Sequence, residues 1–161
     1  MGWLMVDSVL KIPVNHFRGR SDHGLDEKGR LNIPTRFREV LARLNDDRLI
    51  VSPQNCLKIY PVAEWEKLES ALRTQGTKTP GMINMIRHLV GGADECALDR
   101  QGRILLPAKS REECGISKDV VVNGMIGYFE VWDKETWVRQ HKPSTEDVQS
   151  FEQTLLELGL F

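Results

Sequence analysis

The chain has 161 residues, 40% of them hydrophobic and 28% charged, with a formal net charge of −1. This is ordinary soluble globular composition, enough for one domain or two small ones, and the near-neutral total gives no sign of nucleic-acid binding by bulk charge. No apolar run approaches the ~20 residues of a membrane span, and Cys56, Cys96 and Cys114 lack any C-x-x-C spacing, which suits a reducing cytoplasm and argues against structural zinc.

In chain order, residues 1–16, MGWLMVDSVLKIPVNH, form an N-terminal extension. It carries Asp7 within its apolar part and has neither a basic start nor an A-x-A-like cleavage site, so no signal peptide is expected. The stretch HGLDEKGRLNI reads as strand, tight turn, strand, a hairpin. An Asp at i with a Gly at i+3 is a type I turn signature, the Asp capping the turn's own backbone and the Gly free to take positive φ. Leu31 and Ile33 alternate inward at period two. Pro34 stops the strand, and TRFREVLARL is expected to be a helix with Thr35 as its N-cap. A second hairpin, RLIVS to LKIYP, and a helix, AEWEKLESALR, follow. TQGTKTP is the one linker-like stretch, and Met82, Ile83, Ile86, Leu89 and Val90 keep helical spacing, so a packed connector helix is expected after it.

The order then repeats. DRQGRILLP, from Asp99 to Pro107, restates DEKGRLNIP, from Asp26 to Pro34, at a constant offset of 73 that extends to Arg38 and Arg111. Beyond a one-residue gap Ile59, Tyr60 and Trp65 match Val131, Trp132 and Trp137 at an offset of 72. AKSREECG is a short helix with Gly115 beyond its end, VVVNG to YFEVW a hairpin turning at Gly124 to Gly127, and DKETWVRQ a helix. Leu105 breaks the polar side of the second copy. The chain therefore divides into repeat 1 at 17–68, a helical connector at 69–90, repeat 2 at 91–139 and a C-terminal helical tail at 140–161. Each copy is near the size below which a lone core is marginal, so the copies are expected to pack together or oligomerise. In the tail, Val148, Phe151, Leu155 and Leu158 share one face, available to dock on its own chain, the more ordinary role, or on a neighbour.

Charge is unevenly placed. Residues 17–43 hold seven basic against four acidic side chains, a net of +3, and residues 99–111 hold four against one, again +3. From Ser144 onward four acids stand without a Lys or Arg, a net of −4. Local potential steers an anionic partner more than the total does. Arg30 and Arg103 each follow a turn, and Arg can bind guanine O6 and N7 bidentately from a two-stranded ribbon in the major groove. Equally, each can simply pair with the Asp four residues before it. The two are compatible, since an Asp that fixes an Arg lowers the ordering cost of a contact.

These residues also resemble a family, the MraZ regulators, built from tandem AbrB-like (SpoVT-AbrB) half-domains. The resemblance runs through FRGRSDHGLDEKGRLNIPTRFREVL, CLKIYPVAEWEKLE, RHLVGGADECALDRQGRILLPAKSRE and YFEVWDKETW. It implies an α+β fold, two AbrB-like half-domains interleaved into a small pseudo-twofold β-barrel with flanking helices. It implies a homo-oligomeric ring, an octamer or similar, that binds G-rich direct repeats in double-stranded promoter DNA. The family usually represses the division and cell-wall gene cluster, in the cytoplasm and associated with the nucleoid. Its D-x-x-x-R arginines fall on Arg30 and Arg103, with Asp26 and Asp99 as partners and Gly29 and Gly102 in support. Lys28 and Arg100, which flank the turns, are expected at phosphates, and Arg18 and Arg20 are further DNA-binding candidates. The chain departs from the pattern in its first 16 residues and in Lys109 where the first copy has Arg36.

Other readings remain open at this level. His16, His23, His88 and His141 are far apart, and no G-x-S-x-G, H-E-x-x-H or P-loop pattern occurs, so no catalytic residue, metal or cofactor is expected. An AbrB-like antitoxin would carry a disordered, partner-wrapping tail, against which the helical stripe of the tail counts. A ring without DNA contact would leave the arginines solvated.

Overall fold

The computed structural model describes residues 16–75 and 79–160. In the first copy the elements are β1 (Arg20–Gly24), β2 (Arg30–Asn32), α1 (Thr35–Arg43), β3 (Arg48–Pro53), β4 (Leu57–Pro61) and α2 (Val62–Gln75). After α3 (Pro80–Leu89) come β5 (Asp94–Ala97), β6 (Arg103–Leu105), α4 (Ala108–Glu113), β7 (Asp119–Gly124), β8 (Phe129–Asp133) and α5 (Lys134–Gln140), and then α6 (Thr145–Glu157). The fold is α+β with antiparallel sheets.

The strand, turn, strand reading of each D-x-x-G-R segment holds, but the hairpin does not. β1 pairs with β7, β5 pairs with β3, and β2 pairs with β6, so the strands on either side of each turn go to the other copy. The second hairpins form as expected, β3 on β4 and β7 on β8. The six-stranded sheet runs β1-β7-β8-β4-β3-β5, and β2-β6 make a separate two-stranded ribbon. The hairpin of each copy is therefore flanked on both sides by strands of the other, while the larger ladder keeps two ends, β1 and β5.

Register shows how regular the duplication is. In the ribbon Leu31 faces Ile104, its own equivalent at the offset of 73. In the sheet Lys58 faces Glu130, its equivalent at 72, flanked by Leu57 against Val131 and Ile59 against Phe129. A pseudo-twofold axis therefore passes through both pairs. The same symmetry places Tyr60 edge-on to Trp65 at 5.2 Å and 61°, and Trp132 on Trp137 at 5.9 Å and 62°. Leu31, Ile33, Ile104 and Leu106 are all buried in one core with Leu49, Val51, Val120 and Val122, whereas Leu105 is exposed. Phe17, Phe37 and Phe129 close one end of that core with ring centroids 5.1–5.2 Å apart.

Several local expectations need correction. Pro34, not Thr35, occupies the N-cap of α1 without a side-chain cap, and the Thr35 hydroxyl instead accepts from Arg38 Nη2 at 2.9 Å. Proline's fixed backbone already aims the chain into the helix, so no hydroxyl is required there. In TQGTKTP, Thr74 and Gln75 end α2, Thr79 caps α3 by accepting from Met82 N at 3.2 Å, and residues 76–78 lie outside the described residues. The extension at residues 1–15 lies outside them too. The connector α3 has no buried residue, and Ile86 and Val90 only half-cover a groove shared with Leu72 of α2.

The tail is a well-capped helix, with a capping box in which Asp147 N donates to Ser144 Oγ at 3.0 Å and Ser144 N to Asp147 Oδ2 at 2.8 Å. It does not dock on its own chain as expected: Phe151 is 63% and Leu158 64% exposed. Local capping specifies the helix; the stripe alone does not specify a partner.

Because each copy completes its sheet with the other, unfolding is expected to be a single transition. Leu31→Ala or Ile104→Ala should cost about 2–5 kcal/mol. In urea titrations followed by tryptophan fluorescence and far-UV circular dichroism, both signals should shift together in each variant.

Candidate nucleic-acid interface

The ribbon fixes the arginines. Alternation turns Leu31 and Ile104 inward, so Arg30, Asn32, Arg103 and Leu105 share the outward face, with Arg30 opposite Leu105 and Arg103 opposite Asn32. Arg30 and Arg103 are then diagonal neighbours, with backbones roughly 7–8 Å apart. The sequence placed each arginine after its own turn. The structure gives one face with two half-buried arginines, 32% and 24% exposed at the side chain.

Each arginine is held by its turn. In the first copy Asp26 Oδ1 accepts from Lys28 N at 3.0 Å and Arg30 N at 2.8 Å, while Oδ2 accepts from Arg30 Nε. In the second, Asp99 Oδ1 accepts from Gln101 N at 2.8 Å and Arg103 N at 2.9 Å, and Oδ2 from Arg103 Nε at 2.9 Å. Backbone bonds from Gly29 N to Asp26 O at 3.0 Å and from Gly102 N to Asp99 O at 3.1 Å close the turns. The expected Asp–Arg pairing is therefore present in both copies. Each guanidinium is tied to its turn through Nε, and among the described residues the terminal nitrogens of Arg30 and Arg103 make no hydrogen bond. Asp26 Oδ2 also lies 3.9 Å from Arg103 Nη1, so one carboxylate reaches both arginines.

The backbone amide of the arginine, followed by its side chain and a second turn amide, holds the Asp26 and Asp99 carboxyls below their ordinary value of 3.8. A depressed folded-state pKa means that this stabilisation is complete above the ordinary carboxylate value and is lost as pH falls through the lower folded value.

Two residues matched by the repeat but not assigned to the site turn out to brace it. Arg38, from α1, lies over Gly102 of the other copy's turn: a Cβ there would sit 2.6 Å from Arg38 Cδ. Arg111, from α4, lies over Gly29 in the same way, where a Cβ would sit 2.5 Å from Cζ. Gly29 and Gly102 have positive φ, +85° and +76° respectively, so each is required by backbone and by space. Each brace is oriented alike, Arg38 Nε donating to Ile33 O at 3.0 Å and Arg111 Nε to Leu106 O at 3.1 Å. Ribbon bonds from Ile33 N to Gly102 O at 2.9 Å and Leu106 N to Gly29 O at 3.1 Å complete the reciprocal arrangement. The constant offset of 73 at Arg38 and Arg111 was the available signal; crossing between copies was not readable from it.

The remaining candidates scatter. Lys28 and Arg100 are exposed on the two turns. Arg20 lies elsewhere, with Cζ 4.4 Å above the Trp137 ring and Nε donating to Asn123 Oδ1 at 3.2 Å. Arg18 lines a different cleft, with Arg36 and Arg43. Among the described residues no group of three His, Cys, Asp or Glu side chains could hold a metal ion, and no helix is long and apolar enough to cross a membrane.

Fold and site thus define a class: a tandem duplication whose halves interleave strands and present paired Asp–Arg turns on a shared ribbon. A family model described as "MraZ protein, putative antitoxin-like" matches the chain twice, at residues 16–80 and 89–157. A protein of Syntrophobacter fumaroxidans (strain DSM 10017 / MPOB) named transcriptional regulator MraZ is 40% identical over 146 residues, 90% of this chain and 97% of that protein. Proteins of the same name from Serratia proteamaculans (strain 568) and Thioalkalivibrio sulfidiphilus (strain HL-EbGR7) are 38% and 42% identical. Those matches cover 88% and 76% of this chain, and 95% and 83% of theirs. The chain belongs to the MraZ family.

Carboxyl-detected NMR titration should find Asp26 and Asp99 with midpoints below 3.8. Arg111→Ala should move the Asp26 midpoint towards the ordinary value more than the Asp99 midpoint, and Arg38→Ala should do the reverse; equal movement would show that the braces are not turn-specific.

Proposed function

We propose that this protein is a transcriptional regulator that reads double-stranded promoter DNA with the outward face of the β2–β6 ribbon. The observation that carries the reading is the pair of arginines on that face, each held by its turn's aspartate through Nε. A two-stranded ribbon fits the major groove, and a guanidinium fork matches guanine O6 and N7. Arg30 and Arg103 read guanines, Lys28 and Arg100 on the turns contact phosphates, and Gly29 and Gly102 let the braces approach. Asn32 and Leu105 add an amide and an apolar contact to the same face. Arg18 and Arg20 contribute charge outside the ribbon.

In this reading the subunits assemble into a ring, so the ribbons engage successive G-rich direct repeats and weak contacts sum as avidity. The interleaved strands belong to a barrel closed around the shared core, and the targets are the division and cell-wall genes, including the protein's own promoter, which it represses. The protein acts in the cytoplasm, on the nucleoid. The regulator names carried by the relatives support the reading. A second reading, a ring-forming interaction protein that holds a protein partner, is favoured by the apolar stripe of α6 that its own chain leaves exposed.

The test is fluorescence anisotropy on the upstream DNA and on a scrambled duplex at one near-physiological salt. A preference of roughly a thousandfold is expected for a sequence-reading regulator. Arg30→Ala or Arg103→Ala should cost about 1–3 kcal/mol per guanine contact on the target only. Lys28→Ala should weaken both duplexes alike and reduce the salt slope by about 0.9. Equal losses on the two duplexes for the arginine variants would sink the base-reading role, and no preference in the parent protein would favour the protein-partner reading.

A further inference from the structure

A second basic site lies away from the ribbon. Residues 16–18 run beside α1, and the cleft between them is lined by His16, Arg18, Arg36 and Arg43 with Glu39 as its one acid. Its floor is apolar, formed by the buried Phe37 and Val40. Three arginines therefore face one carboxylate.

Both walls are fixed. Phe17 is buried between Phe37 and Phe129, and its backbone is bridged to Ile126, with Phe17 N donating to Ile126 O at 2.7 Å and Ile126 N to Phe17 O at 2.9 Å. His16 and Arg18 are thus carried on an anchored segment. On the other wall Arg36, Glu39 and Arg43 share a helix face at i, i+3 and i+7. The Arg36 guanidinium is seated against Gly19, where φ is +99° and a Cβ would lie 2.5 Å from Nη2. Only a glycine leaves that seat open. Among the described residues Arg18, Arg36, Glu39 and Arg43 form no ion pair with one another.

The cleft is not a by-product of the duplication. At the offset of 73 the second copy has Leu89, Gly91, Lys109 and Ile116 where the first has His16, Arg18, Arg36 and Arg43, so only one of the four basic positions is kept. Nor is it the ribbon seen from behind. Arg36 and Arg38 are two residues apart, about 200° around the helix, and it is Arg38 that reaches over Gly102.

We infer that this cleft is a binding site for a phosphate group, held by the guanidiniums of Arg36 and Arg43 with Arg18 opposite. Arginine forks match phosphate oxygens bidentately, and the anchored walls reduce the ordering cost of closing on the anion. The phosphate can come from a free phosphorylated compound or from a DNA backbone; the second source rests on the DNA-binding reading above.

The experiment has two arms, both on the full chain. Isothermal titration calorimetry with inorganic pyrophosphate is compared for the parent protein, Arg36→Gln, Arg43→Gln and Arg36→Lys. These side chains line a surface cleft, and thermal melts check that the variants keep the fold. In parallel, the salt dependence of DNA binding is measured for the same proteins. Saturable pyrophosphate binding weakened at least tenfold by each Gln variant, with Arg36→Lys intermediate, identifies a free phosphate as ligand. No pyrophosphate binding, but a salt slope lowered by about 0.9 per lost contact with an unchanged target-to-scrambled ratio, identifies the DNA backbone. Gln variants that match the parent in both arms overturn the inference. A parent protein that binds no DNA would defeat the DNA-binding reading, and the pyrophosphate arm would then decide this site by itself.

Discussion

The register of β2 against β6 is the constraint on which the rest depends. It sets Leu31 against Ile104 in the core and, by the same alternation, Arg30 and Arg103 on the outward face. A slip of either strand by one residue would reverse both at once, placing its guanidinium in the core and its Leu31 or Ile104 in solvent. Burial of the aliphatic residues therefore enforces the position of the arginines. No separate device is needed to keep them outward. The braces from Arg38 and Arg111 fix the ends of the ribbon in the same crossed manner, each helix serving the other copy's turn.

Fusion of the copies allows the two halves to differ where a homodimer could not. On the pseudo-twofold axis Lys58 faces Glu130. In a symmetric dimer of either copy that position would face itself, and like charges directly opposite one another are destabilising. Within the core, Phe37 of the first copy corresponds to the buried Ser110 of the second. The aromatic cluster with Phe17 and Phe129 thus fills one end only, and α1 is longer than α4, nine residues against six. The basic cleft beside α1 belongs to the same divergence: the anchored Phe17 that packs on Phe37 also carries Arg18 to the cleft wall.

The sequence carried the local structure and the repeat, because both are written in short-range spacing. Asp26 and Gly29 marked a turn that forms as expected, and Tyr60–Trp65 and Trp132–Trp137 marked equivalent positions that adopt matching geometry. What it did not carry was the partner of the strands on either side of each D-x-x-G-R turn. HGLDEKGRLNI has the pattern of a hairpin, since a tight turn between two short strands reads the same whether they pair with each other or cross to another copy. The same limit explains α6. Its stripe specifies an amphipathic helix, but the surface that would cover Phe151 and Leu158 is a nonlocal property. Arg38 and Arg111 were visible as repeated residues, yet their contact with Gly102 and Gly29 depends on strand exchange and could not be assigned before it.

The aspartates are better understood through geometry than through stability. Exposed ion pairs add little to folding, and Asp26 and Asp99 are partly exposed. Immobilising a long side chain in a complex typically costs about 0.5–1.5 kcal/mol, which is comparable with a weak base contact. A turn that has already fixed the Nε edge of its arginine leaves less of that cost to be met on binding. On the DNA-reading proposal this favours a short, repeated Asp–turn–Arg unit over two flexible cationic loops of equal charge. The two would attract DNA alike, but only the held pair would do so with its donors already in a fixed relation across the ribbon.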